Sequence, residues 1–82
     1  MNVAILYFAV VRDLVGMDGE SIDLPANVTS VRAFRAFIEA RHPELAGRLA
    51  SVRIAKNEEF ATDTDTLRPG DTLALIPPVA GG

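Results

Sequence analysis

The 82-residue chain has no cysteine and no tryptophan, and only one tyrosine, one histidine and one lysine. Without cysteine it can form no disulfide, thiolate zinc site, side-chain persulfide or thiol nucleophile. That argues against a stapled secreted mini-protein and fits a reducing cytoplasm, the expected localisation. Long hydrophobic runs are missing too. The longest, Val3 to Val11, has nine residues, against the ~20 needed to span a bilayer. It also lacks the basic flank and small-residue cleavage site of a signal peptide, so it is expected to be a strand. Positive charge is scarce. The net charge is −3, acidic residues spread from Asp13 to Asp71, and no basic cluster offers a footprint for nucleic acid or an anionic membrane. Six glycines and five prolines in 82 residues are too few for collagen or low-complexity sequence.

What remains is 49% apolar and 23% charged, enough to fold one small domain with a thin core. Asn2 to Phe8 carries Val3, Ile5 and Tyr7 on one face and Ala4, Leu6 and Phe8 on the other, as a central strand does. Gly16-Met17-Asp18-Gly19 has the residues of a hairpin turn. Glu20 to Leu24 then alternates like a half-buried edge strand, closed by Pro25. A helix follows, capped by Thr29 or Ser30, with Val31, Phe34, Phe37 and Ile38 as its apolar stripe. His42-Pro43 stops it, and Pro43 suits the start of a short helical turn through Leu45 and Leu49. Val52 to Lys56, Phe60-Ala61 and Thr72 to Ile76 supply the remaining strands. The order β-β-α-β-(β)-β points to an α+β fold, the β-grasp or ubiquitin-like fold. It comprises a mixed sheet of four to five strands, one main helix packed on one face, and the first and last strands paired at the centre. Residues 1–76 are expected to form this domain, and residues 77–82 an extended, flexible Gly-Gly tail.

That tail concentrates the chemistry. Pro77-Pro78 gives a stiff exit from the sheet. Gly81-Gly82 is a thread without Cβ atoms that fits a narrow cleft, and a terminal glycine offers the least hindered α-carboxylate. Phe8-Ala9-Val10-Val11-Arg12-Asp13-Leu14-Val15-Gly16 resembles the Phe-Ala-x-x-Arg-x-x-x-Gly stretch of the ubiquitin-like sulfur carriers, and within them the small subunits of molybdopterin synthase. Gly70-Asp71 through Ile76-Pro77-Pro78-Val79-Ala80-Gly81-Gly82 is similar to their Gly-Asp-x-strand-Pro-Pro-Val-x-Gly-Gly ending. The element order matches throughout. Ile76 departs from the aromatic common at that position.

The resemblance implies a sulfur carrier in molybdenum cofactor biosynthesis. An E1-like enzyme would adenylate the Gly82 carboxylate with ATP, and a persulfide donor would convert it to a thiocarboxylate. The sulfur would then go to a cyclic pterin precursor held by the large synthase subunit, which supplies the catalytic residues in a heterotetramer. The chain itself would bind no cofactor and no metal. Gly82 and Gly81 are the implied reactive positions. Phe8, Arg12, Phe60, Ile76, Pro77, Pro78, Val79 and Ala80 are the implied contacts for the large subunit and the E1-like enzyme. Leu6, Phe8 and Ile76 fall opposite the helix-covered face, which one helix cannot match on both sides, so an apolar docking patch is expected there. Rival readings are a thiamine-pathway sulfur carrier, a ubiquitin-like modifier that joins Gly82 to lysines, and a β-grasp binding module with a passive tail. His42 reads as structural, and Glu58, Glu59, Asp63 and Asp65 as a solvated loop without the glycine and closing glutamate of an EF-hand.

Overall fold

The computed structural model describes residues 1–78. It holds a β-grasp fold whose five strands form one mixed sheet. Strands β1 (Asn2–Tyr7), β2 (Gly19–Asp23), β3 (Arg53–Lys56), β4 (Glu59–Phe60) and β5 (Thr72–Ile76) lie in the order β2-β1-β5-β3-β4. β1 and β5, the two most apolar, pair in parallel at the centre, with Ile5 opposite Leu73 and Tyr7 opposite Leu75. The other pairings are antiparallel.

Alternation along the strands then sorts the side chains by parity. Val3, Ile5 and Tyr7 of β1 point inward and are at most 2% exposed, as are Leu73 and Leu75 of β5 and Ile54 of β3. Helix α2 (Val31–Arg41) lies on this inner face and buries Val31, Phe34 and Ile38 completely. Phe37 is only half-buried at the edge of the stripe. Of the two candidate caps, Ser30 is used. Its Oγ accepts from the Ala33 N–H at 3.1 Å, satisfying one of the helix's free first-turn donors. The helix ends at His42, held off helical geometry ahead of Pro43, which opens a short 3-10 turn (Pro43–Leu45) that buries Leu45. Arg35 ties the next 3-10 turn (Leu49–Ser51) to the helix. Its Nη1 donates to the carbonyls of Leu49 and Val52 at 2.7 and 2.8 Å, and its Nε to Asp63 Oδ1 at 3.0 Å.

The structure corrects the sequence reading at the end of β1, and it sets the short strand β4 at Glu59–Phe60 in place of the expected Phe60-Ala61. The apolar run Val3 to Val11 is not one strand, and no tight hairpin at Gly16–Gly19 joins β1 to β2. The strand stops at Tyr7, and residues Ala9–Val15 form a second helix, α1. Phe8 is extended at φ −120°, and Ala9 turns the chain with a φ of 50°. Val11, Leu14 and Val15 recur at helical spacing and pack on the core. Gly16 ends the helix in the left-handed region (φ 85°), donating its N–H to Arg12 O. This is a glycine stop that β-branched content disguised.

Candidate functional site

Residues of the opposite parity stand on the outer face, which no other element among the described residues covers. Its floor is made of small side chains, Ala55 on β3 and Ala74 on β5. Leu6, Phe8, Phe60 and Ile76 stand around them, with Glu58 and Thr72 at the rim. Together they enclose an apolar depression of about 240 Å³. Leu6 is 41% exposed, Phe8 44% and Phe60 56%. Large apolar side chains grouped in one hollow differ from the single exposed leucines common on any surface.

The structure brings Phe8, Phe60 and Ile76 into this one depression although they are far apart in sequence. Ile76 arrives as the last residue of β5, directly opposite Arg53 of β3. Phe60 arrives through the β3–β4 hairpin, paired with Ala55. The turn residues Asn57 and Glu58 both have positive φ (51° and 73°), as a two-residue hairpin turn requires. The Asn57 side chain clamps the turn to β5, donating to Asp71 Oδ1 and accepting from the Thr72 N–H, each at 2.9 Å. Phe8 caps the end of β1, and its N–H donates to Leu75 O at 3.3 Å.

Arg12 does not join them. It sits one turn along α1 beside a separate surface dent formed with Asp13, Gly16, Met17 and Asp18. Its Nε is 3.9 Å from both Asp13 and Asp18. Pro77 is buried and Pro78 exposed. Both line a further groove with Val10, Val11, Arg48 and Val52. Val79, Ala80, Gly81 and Gly82 lie outside the described residues.

Two features escaped the sequence reading. The first is the Arg53 guanidinium, which lies 3.6 Å from the centroid of the Phe60 ring. It is a contact across a hairpin that no sequence spacing announces. The second surrounds His42. Glu20 reaches under the sheet and accepts from Tyr7 Oη at 2.5 Å and from Arg41 Nε and Nη2 at 3.2 and 2.9 Å. His42 places Nε2 2.6 Å from Glu20 and Nδ1 3.2 Å from Glu44, with its ring edge-on to Tyr7. Burial resists ionisation of Glu20, but hydrogen bonds from Arg41, Tyr7 and His42 outweigh it and hold the carboxyl at about 2, from an ordinary 4.5. Burial, with Glu20 beside it, pushes the Tyr7 phenol well above its ordinary 10. The cluster pins β1, β2 and the end of α2 together. Among the described residues no group of three His, Asp or Glu side chains is arranged to hold a metal ion. Asp65 instead caps Thr62, and Asp63 pairs with Arg35. No helix among the described residues is long and apolar enough to cross a membrane.

Comparison with known proteins places this geometry. The model of the ThiS family matches residues 5–82. The chain is 35% identical to the human molybdopterin synthase sulfur carrier subunit over 84 residues, covering 99% of this chain and 94% of that one. It is 33% identical to the protein of the same name from Escherichia coli K12 over 82 residues, covering 98% and 99%. One solved structure, the complex of subunits 1 and 2 of the molybdopterin-converting factor from Helicobacter pylori 26695, contains a chain that superposes with a TM-score of 0.70. That chain is 25% identical, with full coverage of both chains.

Proposed function

The chain belongs to the ThiS family, beside the molybdopterin synthase sulfur carrier subunits it matches over nearly its whole length, and on that premise we propose that it carries sulfur for molybdenum cofactor biosynthesis. The supporting observation is the position of Ile76. It ends β5 and lines the apolar depression, so the six residues that follow it in sequence start from the rim of that hollow. A tail that must enter another protein and a surface that can hold that protein are thereby adjacent.

In this reading the Gly82 carboxylate attacks the α-phosphate of ATP on an E1-like enzyme, and pyrophosphate leaves. Adenylation supplies the leaving group that a carboxylate lacks. The terminal sulfur of a donor persulfide displaces AMP, and reduction of the resulting acyl disulfide by a thiol frees a thiocarboxylate. That group is the sulfur nucleophile that attacks the pterin precursor on the large subunit. With no cysteine in the chain, Gly82 is the position for the sulfur, and the chain acts as a non-catalytic donor subunit. Phe8, Phe60 and Ile76 hold the partner, while Pro77 to Gly81 lead the end of the chain into its cleft. Both partners must take the same tail from the same side, so the large subunit and the E1-like enzyme bind alternately.

The test is intact-mass measurement after incubation with ATP, a persulfide donor and the cognate E1-like enzyme. The expected product is heavier by the difference between sulfur and oxygen, and the change disappears on deletion of Gly82. An unmodified mass would overturn the reading. An isopeptide to lysine would favour the modifier reading instead.

A further inference from the structure

Arg53 stands on the outer face, opposite Ile76 at the end of the sheet from which residues 77 and 78 leave. Its guanidinium lies 3.6 Å from the Phe60 ring centroid. Unlike Arg12, Arg35 and Arg41, it has no carboxylate within ion-pair distance and no side-chain hydrogen bond among the described residues. Stacking on an aromatic face leaves the N–H donors of a guanidinium free at its edge and restricts its rotamers, so that little further order is lost when the fork is filled. The carboxylate that lines the depression, Glu58, lies in the β3–β4 turn, at the other end of β3 from Arg53. The face therefore presents a cation near the tail and an acid away from it, with apolar side chains between.

This distribution constrains whatever covers the face. A guanidinium held over the Phe60 ring is enclosed when a partner closes on that ring, and an enclosed charge without a counter-charge is strongly unfavourable. Among the described residues this chain brings none within reach, so the partner must. A carboxylate fits the fork through two parallel N–H···O bonds and cancels the charge, which a carbonyl does not. We propose that Arg53 is a specificity-determining residue of the docking face and pairs with an Asp or Glu of the large synthase subunit, beside the point where the tail enters. The proposal rests on the docking reading given above. It assigns to Phe60 a second task, that of holding the guanidinium in place.

The test compares the full chain with Arg53→Gln, Arg53→Glu, Arg53→Lys and Phe60→Ala in titrations against the purified cognate large subunit at low and high salt. Arg53→Gln is expected to weaken binding about 10-fold and Arg53→Glu about 100-fold, one and two decades in Kd, with a smaller salt dependence for Arg53→Gln. Circular dichroism should match the parent for all, because the side chain is exposed. If Arg53→Glu disturbs the fold, Arg53→Gln and Arg53→Lys carry the comparison. Carbodiimide treatment of the Arg53→Lys complex should join that position to an Asp or Glu of the large subunit, in a peptide absent from the parent complex. Affinities within about twofold of the parent for both Arg53→Gln and Arg53→Glu, while Phe60→Ala binds poorly, would overturn the role of Arg53 and leave the docking face standing. If Phe60→Ala also binds normally, the docking face itself fails, and this proposal with it. A cross-link to Gly82 of the same chain, or a change in self-association on Arg53→Glu, would likewise overturn it.

Discussion

The two faces of one sheet are built from the same strands and behave in opposite ways. On the inner face Ile5, Tyr7, Leu73 and Leu75 are at most 2% exposed beneath α2. On the outer face Leu6 and Phe8 interleave with them in sequence yet are more than 40% exposed. A single residue of register separates a side chain that holds the fold from one available to a partner. Free energy should divide the same way, with inner-face substitutions acting on stability and outer-face and tail substitutions acting on binding and transfer.

The most severe break of that division is deletion of Gly82. Loss of sulfur transfer should be complete, while thermal unfolding should be unchanged because, among the described residues, the core cluster runs from Val3 to Leu75. A deletion that lowered Tm would tie the tail to the domain and erase the distinction. Phe34→Ala should do the reverse. The ring is wholly buried, and its truncation should remove about 3–5 kcal/mol, much of what an 82-residue domain has. Denaturant titration measures it. Whatever folded fraction remains should still accept sulfur.

Phe60→Ala is the outer-face counterpart. Truncating an aromatic at the centre of a docking patch typically costs about 2 kcal/mol or more of binding, here expected toward both the large subunit and the E1-like enzyme. Stability should barely change, because the ring is 56% exposed. Calorimetric titration of each partner tests it. A collapsed fold with intact affinity would assign Phe60 to the wrong side of the comparison.

Parity made much of this legible beforehand. Alternation in Asn2 to Phe8 told which residues face inward, and the cap, stripe and proline stop of α2 are local signals that survive in any context. β5 was readable for the same reason. Helix α1 was missed because its seven residues are rich in valine and continue a strand. Val11, Leu14, Val15 and Gly16 carried the helical signal, but a short segment satisfies both periods. The Glu20 cluster was illegible on other grounds. Its members come from β1, β2 and the end of α2, with Tyr7, Arg41 and His42 lying 13 to 22 residues from Glu20, and only tertiary folding brings them together.

That cluster belongs to the inner face and gives the comparison a pH dependence. Glu20 has a folded-state pKa below its ordinary value, so its contribution is fully present above pH 4.5 and is lost as pH falls toward 2. Tyr7 is raised above 10, so its contribution is full below pH 10 and is lost at higher pH. The contribution of this pair should be level between these limits, and Glu20→Gln should flatten the acid side. Tyr7→Phe removes one hydrogen bond to a charged acceptor and should cost about 1.5 kcal/mol, at the low end of its range because Arg41 and His42 still hold Glu20. Partner affinity at neutral pH should not move. An acid limb unchanged in Glu20→Gln would remove Glu20 as its cause.

The smallest expected effect is a gain, and it comes from the rim of the outer face. Asn57 and Glu58 both occupy the left-handed region (φ 51° and 73°), which strains a side chain bearing a Cβ. Glycine would relieve that strain at either position, yet the two substitutions should have opposite signs. The Asn57 side chain makes two 2.9 Å hydrogen bonds, to Asp71 and to the Thr72 N–H. Losing them should cost more than the strain returned, so Asn57→Gly is expected to destabilise. Glu58 makes no side-chain hydrogen bond or ion pair among the described residues. Glu58→Gly should therefore stabilise by about 0.5–1 kcal/mol, seen as a rise in Tm of a few degrees. Glu58 also lines the end of the depression away from the tail, where the partner's essential contacts are not expected. Affinity for the large subunit should stay within about twofold, a small fraction of the 1.4 kcal/mol that a decade represents. A more stable Glu58→Gly with undiminished binding would separate folding from docking even within the outer face. A large loss of affinity would mean that the acid at the far rim is a contact in its own right.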